Sequence, residues 1–164
     1  MPEQEAIDRA QEDAREGKSP STQAGEFVRQ EIDHIRDGKH GARSAKQAIA
    51  IGLSEARRAG VDVPFSKGAS PATIQQEKRD SAKGKNPKAK VSAKRSRSAL
   101  KALKKEGSGA ASHSALSKQA RSSARRRSAS DRSASARKAV RTKGAASRSA
   151  AAKKAARTRA RKKR

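Results

Sequence analysis

The stretch Gly41–Gly60, GARSAKQAIAIGLSEARRAG, is apolar and well punctuated in a chain whose formal charge is +26. Ser44-x-x-Gln47 has the form of a capping box, in which a hydroxyl and an amide side chain satisfy free N–H groups at a helix start. Ala45, Ile49, Gly52, Leu53 and Ala56 then recur at helical spacing, and Gly60 offers a left-handed stop. Ala48 and Gly52 are small enough to let a second helix approach closely.

That second helix is read immediately upstream. Val28, Ile32 and Ile35 stand at i, i+4 and i+7, which predicts a helix over 26–37 ended by Gly38. GKHGAR connects the two, and VDVPF is expected to fold back and close the core with Val61, Val63 and Phe65. The result is a helical hairpin over residues 21–65, with the core lying before residue 66. Chains that short rarely fold without a staple, a partner or another element docked on them.

Before the hairpin, Pro2 with Glu3, Glu5 and Asp8 makes a fair helix start and Gly17 a stop. The apolar face of this segment is only Ala6, Ile7, Ala10 and Ala14, and GKSPSTQAG after it reads as a linker. Residues 1–20 are therefore an acidic helical lead and linker, to which the helix count of the fold could rise to three. Gly17-Lys18-Ser19 has the ending of a phosphate loop, but Glu12 stands where that loop needs glycine and no strand precedes it.

Charge divides the molecule. Residues 1–80 hold 13 Lys and Arg against 14 Asp and Glu, a net of −1, whereas residues 81–164 hold 29 against 2, a net of +27. Large apolar side chains thin out after Phe65, and the alphabet narrows to Lys, Arg, Ala, Ser and Gly. Low hydrophobicity with high net charge leaves too little surface to bury against the ordering entropy. The fold class expected is mostly α with extensive disorder: a small N-terminal hairpin, a linker over 66–95, and a basic tail over 96–164 that is disordered or becomes helical on binding.

The tail's cations are its candidate binding residues. The first group is Lys94, Arg95, Arg97, Lys101, Lys104 and Lys105, followed by Lys118, Arg121, Arg125, Arg126 and Arg127. Then RSASARKAVRT (Arg132–Thr142) recurs as RSAAAKKAART (Arg148–Thr158), a 16-residue period with 8 of 11 positions identical. It carries Arg132, Arg137, Lys138, Arg141 and Lys143, then Arg148, Lys153, Lys154 and Arg157, with Arg159, Arg161, Lys162, Lys163 and Arg164 beyond. Ser98, Ser112 and Ser147 are candidate caps, and Gly107 and Gly144 candidate breaks. Lys39, Arg43 and Lys46, around the start of the second hairpin helix, form a candidate anion site.

These features exclude several classes. Without Cys there is no disulfide or thiolate metal site, and His34, His40 and His113 show no second ligand at metal spacing, so no metal or cofactor is expected. No apolar run reaches the ~20 residues of a membrane span. The acidic N-terminus is unlike a secretory signal, which points to a cytoplasmic protein. Asp, Glu and His read as exposed helical residues with no nucleophile–base pair, so an enzyme is not expected.

KQAIAIGLSEARRAG, with EFVRQEIDHIRDGKHG before it, resembles a family of short, uncharacterised basic bacterial proteins with a KQAIAI-x-LSEA helix. The Ala/Lys/Arg/Ser arm is similar in composition to the C-terminal arms of linker histones and of bacterial histone-like proteins. That resemblance implies DNA binding and compaction, nucleoid-associated if the source is bacterial. A polycation binds phosphate polymers by counterion release. The tail has no aromatic platform for single strands, which favours duplex DNA, with structured RNA second. Residues 21–65 would then serve self-association or a protein partner. An RNA- or ribosome-associated basic protein and a non-enzymatic interaction adaptor are the alternatives.

Overall fold

The structure, a computed structural model, describes residues 3–65, 68–86, 92–142 and 144–162, with the side chains of Thr142 and Lys162 left aside. The helix-starting role read for Pro2 and the sites at Lys143, Lys163 and Arg164 lie outside these residues. Those described form α-helices and one 3-10 turn, with no strand among them. The chain divides into two units, Met1–Gln119 and Ala120–Arg164.

In the first unit, α1 (Gln4–Arg15) runs to a stop at Gly17, whose φ of 70° is in the left-handed region. α2 (Pro20–Arg36) begins within the segment read as a linker. Pro20 takes the first helical position, where its missing N–H costs nothing; Ala24 on this added length is fully buried, as is Phe27 just beyond it. α3 (Ala45–Arg58) starts where the capping box places it: Ser44 Oγ accepts from the Gln47 N–H at 3.2 Å. Gln47 reaches back one residue further than the motif implies, its Oε1 accepting from the Arg43 N–H at 2.9 Å.

α1 packs on α2 and α2 on α3, so the hairpin exists and the lead helix docks against it. One core cluster joins Ala6 and Ala10 of α1 to Ala24 and Phe27 of α2, Ala56 of α3 and Val63. Most of these side chains are alanine, so the contact is a close approach of backbones around one phenylalanine. Phe27 and Ile35 are the large apolar side chains fully removed from water, each contributing about 1.5–3 kcal/mol. Ile32, Ile49, Leu53 and Val61 are only half-buried, and Phe65, expected to close the core, is 46% exposed. Val63 takes that place because the chain bends after α3 to present it beside Ala56.

Two further elements correct the expectation that the core ends before residue 66. α4 (Pro71–Lys85) occupies the predicted linker, capped by Ser70, whose Oγ accepts from the Thr73 N–H at 3.2 Å. It packs on α3 through ions rather than apolar residues. Arg57 Nη2 lies 3.0 Å from Glu77 Oε1, and Arg58 Nε lies 2.8 Å from Asp80 Oδ1. Ser54 Oγ donates to Asp80 Oδ2 at 2.7 Å. The second core cluster sets Ile35, Ala42 and Ala48 against Ala110 and Ala111 of a 3-10 turn, Ser108–Ala111. Backbone bonds from the Gly41 N–H to the Leu103 carbonyl (3.0 Å) and from the Ala42 N–H to the Gly107 carbonyl (3.2 Å) hold this segment in place. Gly41 has no room for a side chain, because the Glu106 carbonyl fills the space where its Cβ would stand.

The basic arm also differs from the expectation of disorder. α5 (Ala93–Leu103), α6 (His113–Arg126), α7 (Ala129–Thr142) and α8 (Ala145–Lys162) cover most of its described residues. Alanine, lysine and arginine are strong helix formers, whereas an exposed like-charge pair one turn apart costs only about 0.2–0.5 kcal/mol. At i, i+4 there are five such pairs in the four helices: Arg97–Lys101, Arg121–Arg125, Arg137–Arg141, Lys153–Arg157 and Arg157–Arg161. Propensity outweighs repulsion at that density.

Candidate nucleic-acid interface

In α5, Lys94, Arg97 and Lys101 stand at i, i+3 and i+7 on one face, with Arg95 beside them and Lys104 and Lys105 just beyond the last turn, all exposed. Leu103, on the other side, is half-buried. In α6 the same spacing aligns Lys118, Arg121 and Arg125, and Arg126 Nη2 donates to Ser122 Oγ at 3.2 Å. The predicted cap at Ser112 is made, its Oγ accepting from the Ala115 N–H at 3.2 Å. Ser98 and Ser147 lie inside helices instead, and the working caps are Ser92 and Ser128.

The second unit carries the sequence repeat as structure. α7 begins at Ala129 and α8 at Ala145, so each 16-residue period is one helix and the break falls at Gly144. Arg132, Arg137, Lys138 and Arg141 of α7 correspond in register to Arg148, Lys153, Lys154 and Arg157 of α8. The described side chains of both helices are exposed throughout, so neither has a face committed to a core. Arg127 folds back on the start of α7, donating to the Asp131 carbonyl at 3.1 Å and touching Ser135 Oγ. Beyond residue 80 the chain has only two acidic residues, Glu106 and Asp131, to offset this field. In α8 the described cations, from Arg148 through Arg159 and Arg161, fall on opposite sides of the helix axis.

The candidate anion site is differently placed. Lys39 Nζ pairs with Glu3 Oε1 at 3.2 Å, and Arg43 Nε lies 3.8 Å from Glu106 Oε1. Lys46 is exposed, and the Ser44 hydroxyl already accepts from the Gln47 N–H at this helix end.

The first unit also holds a cluster that sequence spacing did not reveal. Glu31, His34 and His40 bring one ligand atom each to within 4.8 Å of the others. Glu31 is 2% exposed, and the two imidazoles are 15% and 11% exposed rather than solvated. His40 Nε2 stands 3.5 Å from Glu31 Oε2, and His34 Nε2 stands 3.0 Å from Glu3 Oε1. The rings meet edge-on with centroids 6.2 Å apart. Burial, and then the neighbouring charge of Glu55, push the Glu31 carboxyl up to about 8. Glu31-x-x-His34 on one helix face was the available signal; His40 joins it only through the fold. Asp13, Glu77 and Asp80 are likewise buried, not exposed as the helical pattern implied.

Residues 16–67 match the profile of a family described as of unknown function, DUF6496. The matched span contains α2 and α3 and the Glu31, His34 and His40 cluster, and none of α5–α8. No curated protein and no solved structure matches the chain. Among the described residues, no helix is long and apolar enough to cross a membrane.

Proposed function

We propose that this protein binds duplex DNA through its basic C-terminal helices, without sequence preference, in the manner of a histone-like or nucleoid-associated protein. In this reading it is a binding protein rather than an enzyme, and the N-terminal helices self-associate or dock a partner. The observation that carries the proposal is the second unit: two consecutive helices in repeat register, exposed throughout, with Asp131 as their one acidic residue. A helix with its side chains is about 10–12 Å across, and the major groove of B-DNA is about 12 Å wide. A helix with cations on opposite sides, as in α8, meets phosphates on both walls of such a groove. Contacts of that kind position a protein and release counterions but read no bases.

The test is a competition series on the full chain. Duplex DNA, its scrambled counterpart, duplex RNA and single strands compete for a labelled duplex at two salt concentrations. The proposal expects natural and scrambled duplexes to compete equally and single strands poorly. Preference for duplex RNA moves the partner to structured RNA, and preference for one duplex over its scramble refutes the non-specific mode.

A further inference from the structure

We propose that Glu31, His34 and His40 bind one first-row transition-metal dication, with Zn2+ as the representative ion. The three are supplied by one turn of α2 and by the connector to α3, so the site depends on the folded hairpin. Glu31 lies in the interior, and its Oε1 has no hydrogen-bond partner although water is excluded from it. A buried carboxyl oxygen left in that state is costly unless something occupies the space before it.

The imidazole arrangement fits a ligand role. His40 Nδ1 lies 3.2 Å from the Gly41 carbonyl; donated there, its N–H leaves the lone pair on Nε2, the atom facing Glu31. Zinc bonds to nitrogen and oxygen of roughly 2.0–2.2 Å put tetrahedral ligand atoms about 3.3–3.6 Å apart. The 3.5 Å between His40 Nε2 and Glu31 Oε2 already has that value. Glu3 Oε1 lies outside this cluster, 3.0 Å from His34 Nε2 and 3.2 Å from Lys39 Nζ, so the fourth position is left to water. Two imidazoles favour a first-row transition metal over calcium or magnesium, which take oxygen. A metal held there ties α2 to the α2–α3 connector, stapling a core built largely of alanine.

The experiment uses the untagged full-length chain stripped with chelator. Zn2+ is titrated by calorimetry and Co2+ by visible absorption. One equivalent of each is expected, with the strong d–d bands of four-coordinate cobalt and a higher melting temperature, and Mg2+ gives neither. His34→Gln with His40→Gln is expected to weaken zinc by at least about 100-fold, and the isosteric Glu31→Gln by at least about 10-fold. Far-ultraviolet circular dichroism establishes that each variant keeps its helices. Absence of cobalt bands and zinc heat on the wild-type chain overturns the proposal without recourse to any variant. Unchanged zinc affinity in the folded double-histidine variant overturns it as well.

Discussion

Gly52 of α3 lies against the backbone of Val28 in α2, so close that a Cβ on Gly52 would stand 2.7 Å from Val28 Cα and 2.9 Å from its nitrogen. The helices cross at a point where α3 has no room for a side chain toward the α2 backbone. Gly52→Ala gains about 1 kcal/mol of helix propensity but forces the helices apart. Overpacking of this kind typically costs about 1–3 kcal/mol. The expected net is a loss of stability for alanine and a larger one for Gly52→Leu, measured by urea unfolding. A variant as stable as the wild type would mean that the crossing relaxes freely.

The two phenylalanines have opposite energetic weight. Phe27 is fully buried between α1 and α3, and Phe27→Ala is expected to cost about 3–5 kcal/mol. Phe65 is 46% exposed, and Phe65→Ala should fall within about 0.5 kcal/mol of the wild type. Leu53, packed at the edge of the cluster, belongs between them. Thermal unfolding of the three variants gives the order directly.

Docking of α4 should weaken in acid. Burial alone would raise the Asp80 carboxyl, but hydrogen bonds from Ser54, Arg58 and Gln76 outweigh it and hold the group below its ordinary 3.8. A depressed carboxylate contributes stability that is present above the unfolded value and lost as pH falls through the folded one. The stability difference between wild type and Asp80→Asn is therefore largest near neutrality and shrinks below about pH 3.8. Removing the charge-assisted bonds should cost about 1–3 kcal/mol at pH 7. A difference that stays constant from pH 7 to pH 3 would count against the assigned partners.

Ending the chain after Ser128 removes α7, α8 and 14 of the 42 Lys and Arg residues. With roughly 10 phosphates neutralised by the full chain, the logarithmic salt slope on duplex DNA is expected near −9. The shortened chain should bind far more weakly, with a slope reduced roughly by half. Equal affinity and slope for the two chains, measured by fluorescence anisotropy across a salt series, would place the interface in the N-terminal helices.

Elements whose signals are local were legible in the sequence. Ser44, Gly17, Gly38 and Gly60 announce their starts and stops through backbone chemistry that needs no neighbours, and the close approach at Gly52 follows from its size. α4 was not legible because Ile74 is its one large aliphatic residue; its attachment is the pairing of Arg57 with Glu77 and Arg58 with Asp80. Ala110 and Ala111 hid in an alanine-rich stretch where nothing distinguishes a buried alanine from an exposed one. The cluster at Glu31 was half visible, since His34 follows at helical spacing but His40 reaches it only across the connector. In the arm, the positions of the cations could be read, but their helical order depends on propensity outweighing repulsion.

The 3-10 turn at Ser108–Ala111 has a consequence for the order of assembly. Ala110 and Ala111 cover Ile35, Ala42 and Ala48, so α2 and α3 remain open on that side until the turn arrives. A chain synthesised at about 5–20 residues per second needs roughly 3–11 s more after α3 is made before residue 111 is available. During that interval Ile35 faces water or whatever else is nearby. Folding of the N-terminal helices is thus gated by translation of a segment far along the chain, and closure comes as the first cations of the arm are already emerging.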